Sequence, residues 1–256
     1  MKTEIIALLD RSGSMNDIAS DAIGGFNSFV NNQQAQEGDA KLSLVLFDHD
    51  YEVVYQGLNI QEAPQLNSQT FIPRGSTALL DALGRTIFEQ RARIEKEMWA
   101  ELVIFCILTD GLENASKEFS SAQIKMLITT LQKENDWSFI YLAANQDAFE
   151  VGEQYGIRKD YTANFEATSE GTVEVYAMMS ETSTRIRKKS HVVHDAIAYA
   201  PYATILRMVM NCFRLGFSTS RNLFPFEVDA QADTSVKGTC RSLNGLFYGY
   251  CTVSIP

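Results

Sequence analysis

For about the first three quarters of the chain, apolar runs alternate with apolar stripes at helical spacing, the pattern of a mostly parallel sheet covered by helices. Ile5 to Leu9 is a continuous apolar run, which predicts a strand buried on both faces. Ile18, Ala22, Phe26, Phe29 and Val30 then recur at the spacing of one helical face. Leu42, Leu44 and Leu46 open a second strand, and Asp48-His49-Asp50 turns it into a third, Tyr51 to Tyr55, so this pair reads as a hairpin at a sheet edge. Gln56 to Arg74 is rich in Gln, Asn and Pro without a period and predicts an irregular connection. Helix resumes with Leu80, Leu83, Ile87 and Ile94. A strand follows from Leu102 to Leu108, then a helical stripe of Ile124, Leu127, Ile128 and Leu131. The remaining pattern gives a strand over Phe139 to Ala144, a short helix around Ala148 to Tyr155, a short strand near Tyr161 to Phe165, and a helix from about Glu170 to Lys189.

These elements predict an α/β fold: a Rossmann-like, doubly wound, mostly parallel six-stranded sheet with helices on both faces and one antiparallel edge strand. After Ser190 the character changes. Three of the four cysteines and two of the three histidines fall there, charged residues thin out, and the alternation stops. The expected division is therefore a domain over residues 1–190 and an extension over 191–256, whose aromatic residues Phe213, Phe217, Phe224, Phe226, Phe247, Tyr248 and Tyr250 suit a cover for the domain, a surface that pairs with another chain, or a loosely ordered tail.

A chain of 256 residues with 45% hydrophobic content suffices for one substantial core. Its formal net charge of −10 argues against nucleic acid as a partner, because phosphate affinity requires a positive field. The one basic cluster, Arg185, Arg187, Lys188 and Lys189, is expected to close the last helix, where cations suit the negative end of its dipole. The run Ile5 to Leu9 is too short for a signal-peptide core, and Ala196 to Phe213 is broken by Pro201 and Arg207 and falls short of a membrane span, so no membrane association is expected. Cys106 reads as a buried hydrophobe, and Cys212, Cys240 and Cys251 lack metal-ligand spacing, which points to a reducing, cytoplasmic setting.

Three separated stretches carry the chemistry: Asp10-Arg11-Ser12-Gly13-Ser14, Gly75-Ser76-Thr77 and Thr109-Asp110-Gly111. Together they offer Asp10, Ser12, Ser14, Thr77 and Asp110, two carboxylates and three hydroxyls, which is the all-oxygen set a hard divalent cation prefers. Asp10 and Asp110 fall at the ends of the first and fourth strands. In an open parallel sheet, ligands bind beyond the carboxyl ends of the strands where strand order reverses, so neighbouring strands there bring both carboxylates together. Gly13 is expected to give a tight turn that aims Ser12 and Ser14 at one point. Thr77 stands at the start of the next helix.

The motif Asp-x-Ser-x-Ser, the distant Thr and the later Asp at a strand end, within Leu8-Leu9-Asp10-Arg11-Ser12-Gly13-Ser14-Met15, Gly75-Ser76-Thr77-Ala78-Leu79 and Leu108-Thr109-Asp110-Gly111, resemble a von Willebrand factor type A domain with its metal-ion-dependent adhesion site. The resemblance covers roughly residues 3 to 190 and is closest to free-standing bacterial members. It implies a bound Mg2+, with Mn2+ or Ca2+ as alternatives, held by the three hydroxyls directly and by the two aspartates directly or through water. It also implies a binding function without catalysis, in which an Asp or Glu of a partner protein completes the cation's shell; ring-forming ATPases and other assembly machinery are the partner class that the bacterial relatives suggest.

An enzyme is the competing reading. A haloacid-dehalogenase-like, magnesium-dependent phosphatase also starts from an aspartate after an apolar strand, but it needs a second aspartate two positions on, where this chain has Ser12. Ser12-Gly13-Ser14 is no nucleophile elbow, and no P-loop is present. Among neighbouring residues, His49 reads as a solvated hairpin tip at the metal end, and His191, His194 and Asp195 as surface residues. Glu113 and Asn114 suit either orienting water at the cation or capping the next helix. Asn145 and Asp147 read as turn and cap residues, and Arg11 and Arg74 as exposed residues or guides for an acidic partner.

Overall fold

In a computed structural model that describes residues 1–134, 136–198, 235–241 and 248–254, the six expected strands assemble into one sheet of order β3-β2-β1-β4-β5-β6. They span Thr3–Asp10 (β1), Ala40–Phe47 (β2), Tyr51–Asn59 (β3), Leu102–Thr109 (β4), Trp137–Ala143 (β5) and Thr162–Asn164 (β6). All neighbours pair in parallel except β2 and β3, whose antiparallel hairpin forms one edge. The helices are α1 (Ala19–Gln34), α2 (Leu79–Glu97), α3 (Ser121–Glu134), α4 (Ala148–Gln154) and α5 (Ser169–Ala198).

Strand alternation sorts the core into two layers. Ile5, Ala7 and Leu9 of β1 and Ile104, Cys106 and Leu108 of β4 join Phe26 and Phe29 of α1 and Val175, Tyr176 and Met179 of α5 on one face. Ile6, Leu8, Phe105 and Ile107 join Leu83 and Ile87 of α2 and Ile124, Ile128 and Leu131 of α3 on the other. Cys106 is fully buried, and burial pushes its thiol pKa up to about 12, as expected of a packing residue.

Two elements differ from the sequence expectation. β3 continues to Asn59, past the predicted end at Tyr55, with register shifts and Gly57 at positive φ carrying it through the polar residues. α5 continues to Ala198, so the basic cluster lies within the helix and does not close it. Arg187 is buried and donates to the carbonyl oxygens of Gln33, Glu37 and Gly38 at 2.8, 3.2 and 3.2 Å. Its charge thus serves the negative end of α1, a pairing visible only once the two helices pack together.

The chain divides into two compact units, Met1–Tyr199 and Ala200–Pro256. In the second, β7 (Ser235–Arg241) and β8 (Tyr248–Ser254) form an antiparallel pair, unforeseen in the sequence, which places Cys240, Cys251, Tyr248 and Tyr250 on strands. Cys212, Phe213, Phe217, Phe224, Phe226 and Phe247 lie outside the described residues, as do the side chains of His191, His194 and Asp195. Among the described residues, no helix is long and apolar enough to cross a membrane.

Candidate metal site

The strand order reverses between β1 and β4, which pair directly with Leu9 opposite Leu108. Asp10, the last residue of β1, and Asp110, the first beyond β4, therefore emerge side by side at the carboxyl edge, where the backbone leaves the ladder and side chains converge on a crevice. Asp10 is fully buried, and its carboxylate is occupied by its own loop: Oδ1 accepts from the Ser12 amide at 2.6 Å and Oδ2 from the Thr109 hydroxyl at 2.6 Å. It ties the Ser12-Gly13-Ser14 loop to the end of β4. Thr109 was legible only as part of a motif; its hydroxyl also accepts the Gly111 amide, at 3.2 Å.

The three hydroxyls and Asp110 meet in front of Gly111. Ser12 Oγ and Ser14 Oγ stand 3.1 Å apart, and Ser14 Oγ donates to Asp110 Oδ1 at 2.6 Å. A Cβ built on Gly111 would lie 2.9 Å from Thr77 Oγ1, 3.4 Å from Ser14 Oγ and 3.6 Å from Ser12 Oγ. Only a residue without a side chain leaves this space open. Oxygen ligands bound at about 2.1 Å in an octahedron stand about 3 Å from one another, so the serine pair has the spacing of adjacent ligands. The residues present thus fit a small divalent cation. Ser12, Thr77 and Asp110 are buried, while Ser14 opens to solvent.

Gly13 contributes differently from the expected tight turn. It is absent from the glycines with positive φ; instead its amide donates to the Gly75 carbonyl at 3.1 Å, and a Cβ there would stand 3.3 Å from that oxygen. Gly75, at φ +67°, takes the left-handed conformation, and His49 packs so closely that a Cβ would lie 1.9 Å from its Nδ1. His49 is therefore more than a free hairpin tip: its Nδ1 also lies 3.0 Å from Asp48 Oδ1.

Electrostatically the site is anionic: among the described residues no cationic side chain bonds to the carboxylate of Asp10 or Asp110. Burial pushes the Asp10 pKa up to about 6 against the opposing hydrogen bonds from Thr109 and Ser12, and burial likewise raises that of Asp110 against the bond from Ser14. Asn145, at φ +57°, donates to the Asp110 carbonyl at 2.9 Å, and Gln146 to that of Gly111 at 3.1 Å, so these amides steady the turn from behind. Asp147 caps α4 as expected, accepting from the amides of Phe149 and Glu150.

Asp48, His49 and Asp50 form a second group whose ligand-type atoms lie within 4.8 Å of one another. Here the space is already filled by charge. Asp48 Oδ2 accepts from Arg11 Nε at 2.9 Å and Arg74 Nε at 3.0 Å, and Oδ1 accepts from the Asp50 amide at 2.7 Å. Burial opposes ionisation of Asp48, but these donors outweigh it and hold its carboxyl below the usual range. Arg11, expected to be exposed, is only 4% exposed, because this pair and a second bond to Glu52 hold it inward.

No family model matches the chain, and no curated protein does. Solved structures do. Proximal thread matrix protein 1 from the mussel byssus, with a zinc-occupied MIDAS motif, aligns with a TM-score of 0.52 at 14% identity, over 71% of this chain and 46% of that one. The D319A mutant of the PilB minor pilin from Streptococcus sanguinis aligns with a TM-score of 0.55 at 12% identity, over 72% and 62%. The fold is that of a von Willebrand factor type A domain. At these identities the likeness concerns the fold, and the chain spans roughly half to three fifths of those longer proteins. The doubly wound sheet with its antiparallel edge is the architecture expected from the sequence, and the β1/β4 switch point is where the open-sheet rule led the site to be expected.

Proposed function

We propose that the von Willebrand factor type A unit is a divalent-cation-dependent protein-binding module. Ser12, Ser14 and Thr77 would hold the cation directly, Asp110 would do so directly or through water, and Asp10 would act by holding the serine loop. The observation that carries this reading is the convergence of three hydroxyls and Asp110 around Gly111, beside two buried carboxylates that have no cationic partner side chain among the described residues. Two buried anions raised in pKa are an unfavourable arrangement that a cation would relieve.

Bound there, the cation supplies an electron-poor centre for one further carboxylate, an Asp or Glu of the partner protein. The chain's own part is to present a shell poor in negative charge. Asp10 spends both oxygens on Ser12 and Thr109, leaving hydroxyls as most of the donors. Mg2+ suits such a set, with Mn2+ and Ca2+ as alternatives. An Asp10 so buried and doubly occupied is poorly placed for in-line attack on a phosphoryl group, and Ser12 replaces the acid the phosphatase mechanism needs, so binding is favoured over catalysis. Partners of the ring-forming ATPase or assembly-machinery class follow from the resemblance alone, as does the assignment of this function to residues 1–190.

The test is capture from lysate on the immobilised full chain, in MgCl2 and in EDTA, with Asp110→Ala and Ser12→Ala alongside. The expected outcome is a protein retained only by the unaltered chain and only with the cation. Capture that survives both substitutions and chelation contradicts the reading, and a magnesium-dependent phosphatase signal would replace it.

A further inference from the structure

Of the five candidate ligands, Thr77 has the least obvious support. Ser12 and Ser14 ride on a loop tied down by Asp10, and Asp110 follows directly from β4, but Thr77 ends a long irregular connection. What fixes it is the segment just beyond Asp110. The Thr77 amide donates to Asn114 Oδ1 at 2.9 Å, and the Thr77 carbonyl accepts from the amides of Asn114 and Ala115 at 3.0 and 3.2 Å.

That segment is in turn locked to α2, which has no side-chain cap of its own at Ala78. Glu113 Oε2 accepts from the Leu80 amide at 2.9 Å, while Glu113 Oε1 accepts from the amides of Ala115 and Ser116 within its own loop. Ser116 Oγ accepts from the Asp81 amide at 3.1 Å, and Asp81 returns the contact by accepting from the amides of Lys117, Glu118 and Phe119 at 2.7 to 2.9 Å. Glu113 and Asn114 were expected either to orient water or to cap the helix that follows; Glu113 instead caps the helix that precedes it, across the crevice.

The clamp makes one body of the two arms of the site, the Thr77 arm and the Asp110–Gly111 arm. We infer that Asn114 is a positioning residue for the cation site: its side-chain carbonyl sets where the Thr77 hydroxyl stands relative to Asp110, and hence the affinity and selectivity of the site. The inference rests on the cation-binding reading above. Side chains one step behind the ligands characteristically change metal affinity by about ten- to hundred-fold when removed, because the ligand atoms must be held to a fraction of an ångström.

The experiment is isothermal titration calorimetry of the full chain with MgCl2 and with MnCl2, paired with thermal melting in EDTA. Asn114→Ala is expected to weaken both cations by about ten- to hundred-fold, Mg2+ more than Mn2+, since Mg2+ demands the stricter octahedron. Asn114→Asp keeps an acceptor for the Thr77 amide and should restore most of the affinity. Asn114→Leu, which keeps bulk without the acceptor, should lose it as Asn114→Ala does and serves if the alanine variant does not fold. Asp81→Ala loosens the same loop at Lys117 to Phe119 while leaving the Thr77 contact, and should lower the melting temperature without a comparable loss of affinity. Wild-type affinity in Asn114→Ala or Asn114→Leu overturns the inference, as does an equal loss in Asp81→Ala, which would mark the clamp as structural only. Failure of the unaltered chain to bind either cation overturns the underlying metal reading itself.

Discussion

Two acidic clusters sit at the same edge of the sheet, at the ends of β1 and β4 and of β2, and they solve the burial of negative charge in opposite ways. Asp48 is fully buried against two guanidinium groups and its carboxyl is held below the usual range. Asp10 and Asp110 are equally buried, are met by hydroxyls and amides alone among the described residues, and are pushed upward by burial. Both clusters contain carboxylates at close quarters, and Asp48, His49 and Asp50 look the more like a ligand group when distances alone are considered. Charge decides otherwise. A buried anion already neutralised by arginine is a structural pin, whereas one left with neutral donors is where we propose that a cation binds.

The contrast is broken most severely by removing Asp48. Its loss leaves the buried Arg11 with only the half-exposed Glu52, and breaking a buried pair from one side costs about 3–5 kcal/mol, so Asp48→Ala should melt far below the unaltered chain in scanning calorimetry. An unchanged melting temperature would show that the pin is dispensable.

A pH series comes next. Asp10 titrates near 6 in the folded chain against an ordinary value of 3.8, so between those values the folded state binds more protons than the unfolded one. Stability in EDTA should therefore fall as pH rises from about 4 to about 6, by roughly 3 kcal/mol from this group once both states are ionised. Asp48 contributes in the opposite sense, with stability present above its ordinary pKa and lost as pH falls through the lowered one. Carboxyl resonances followed by NMR would separate the two; an Asp10 titrating near 4 contradicts the account of its burial.

Saturating magnesium gives the third effect. At a hundred times its dissociation constant the cation should stabilise the chain by about 2.7 kcal/mol, and Asp110→Ala should abolish that gain. In EDTA the same variant should be as stable as the unaltered chain or more so, because it removes a buried, poorly compensated charge. The smallest effect belongs to Arg74→Ala: this solvent-exposed outer partner of Asp48 should leave the midpoint of urea unfolding nearly unchanged.

Most of the fold was legible because both periods are clean. The continuous apolar runs of β1 and β4, buried on both faces, and the helical stripe Ile124, Leu127, Ile128 and Leu131 marked the elements, while the pairing of β1 with β4 is supplied by the structure. The five candidate residues were legible as motifs; the structure groups Ser12, Ser14, Thr77 and Asp110 around Gly111 and sets Asp10 behind them, bonded to Ser12 and Thr109. What stayed hidden needed partners from distant elements. Arg11 and Arg187 look like surface cations until β2 and α1 supply what they neutralise or cap. Gly13 looks like a turn residue until Gly75 is packed against it, and Asn114 acquires its role only when the loop after β4 meets the start of α2. The β7–β8 pair lacked the continuous apolar runs that marked β1 and β4.

The measurement that bears most directly on the central claim is calorimetric titration with MgCl2 of the unaltered chain, Ser12→Ala, Asp110→Ala and Asp50→Ala. The account predicts one cation per chain for the unaltered protein and for Asp50→Ala, and none for the two crevice variants. Binding that survives Ser12→Ala and Asp110→Ala but disappears with Asp50→Ala would place the cation at the arginine-filled cluster and contradict it.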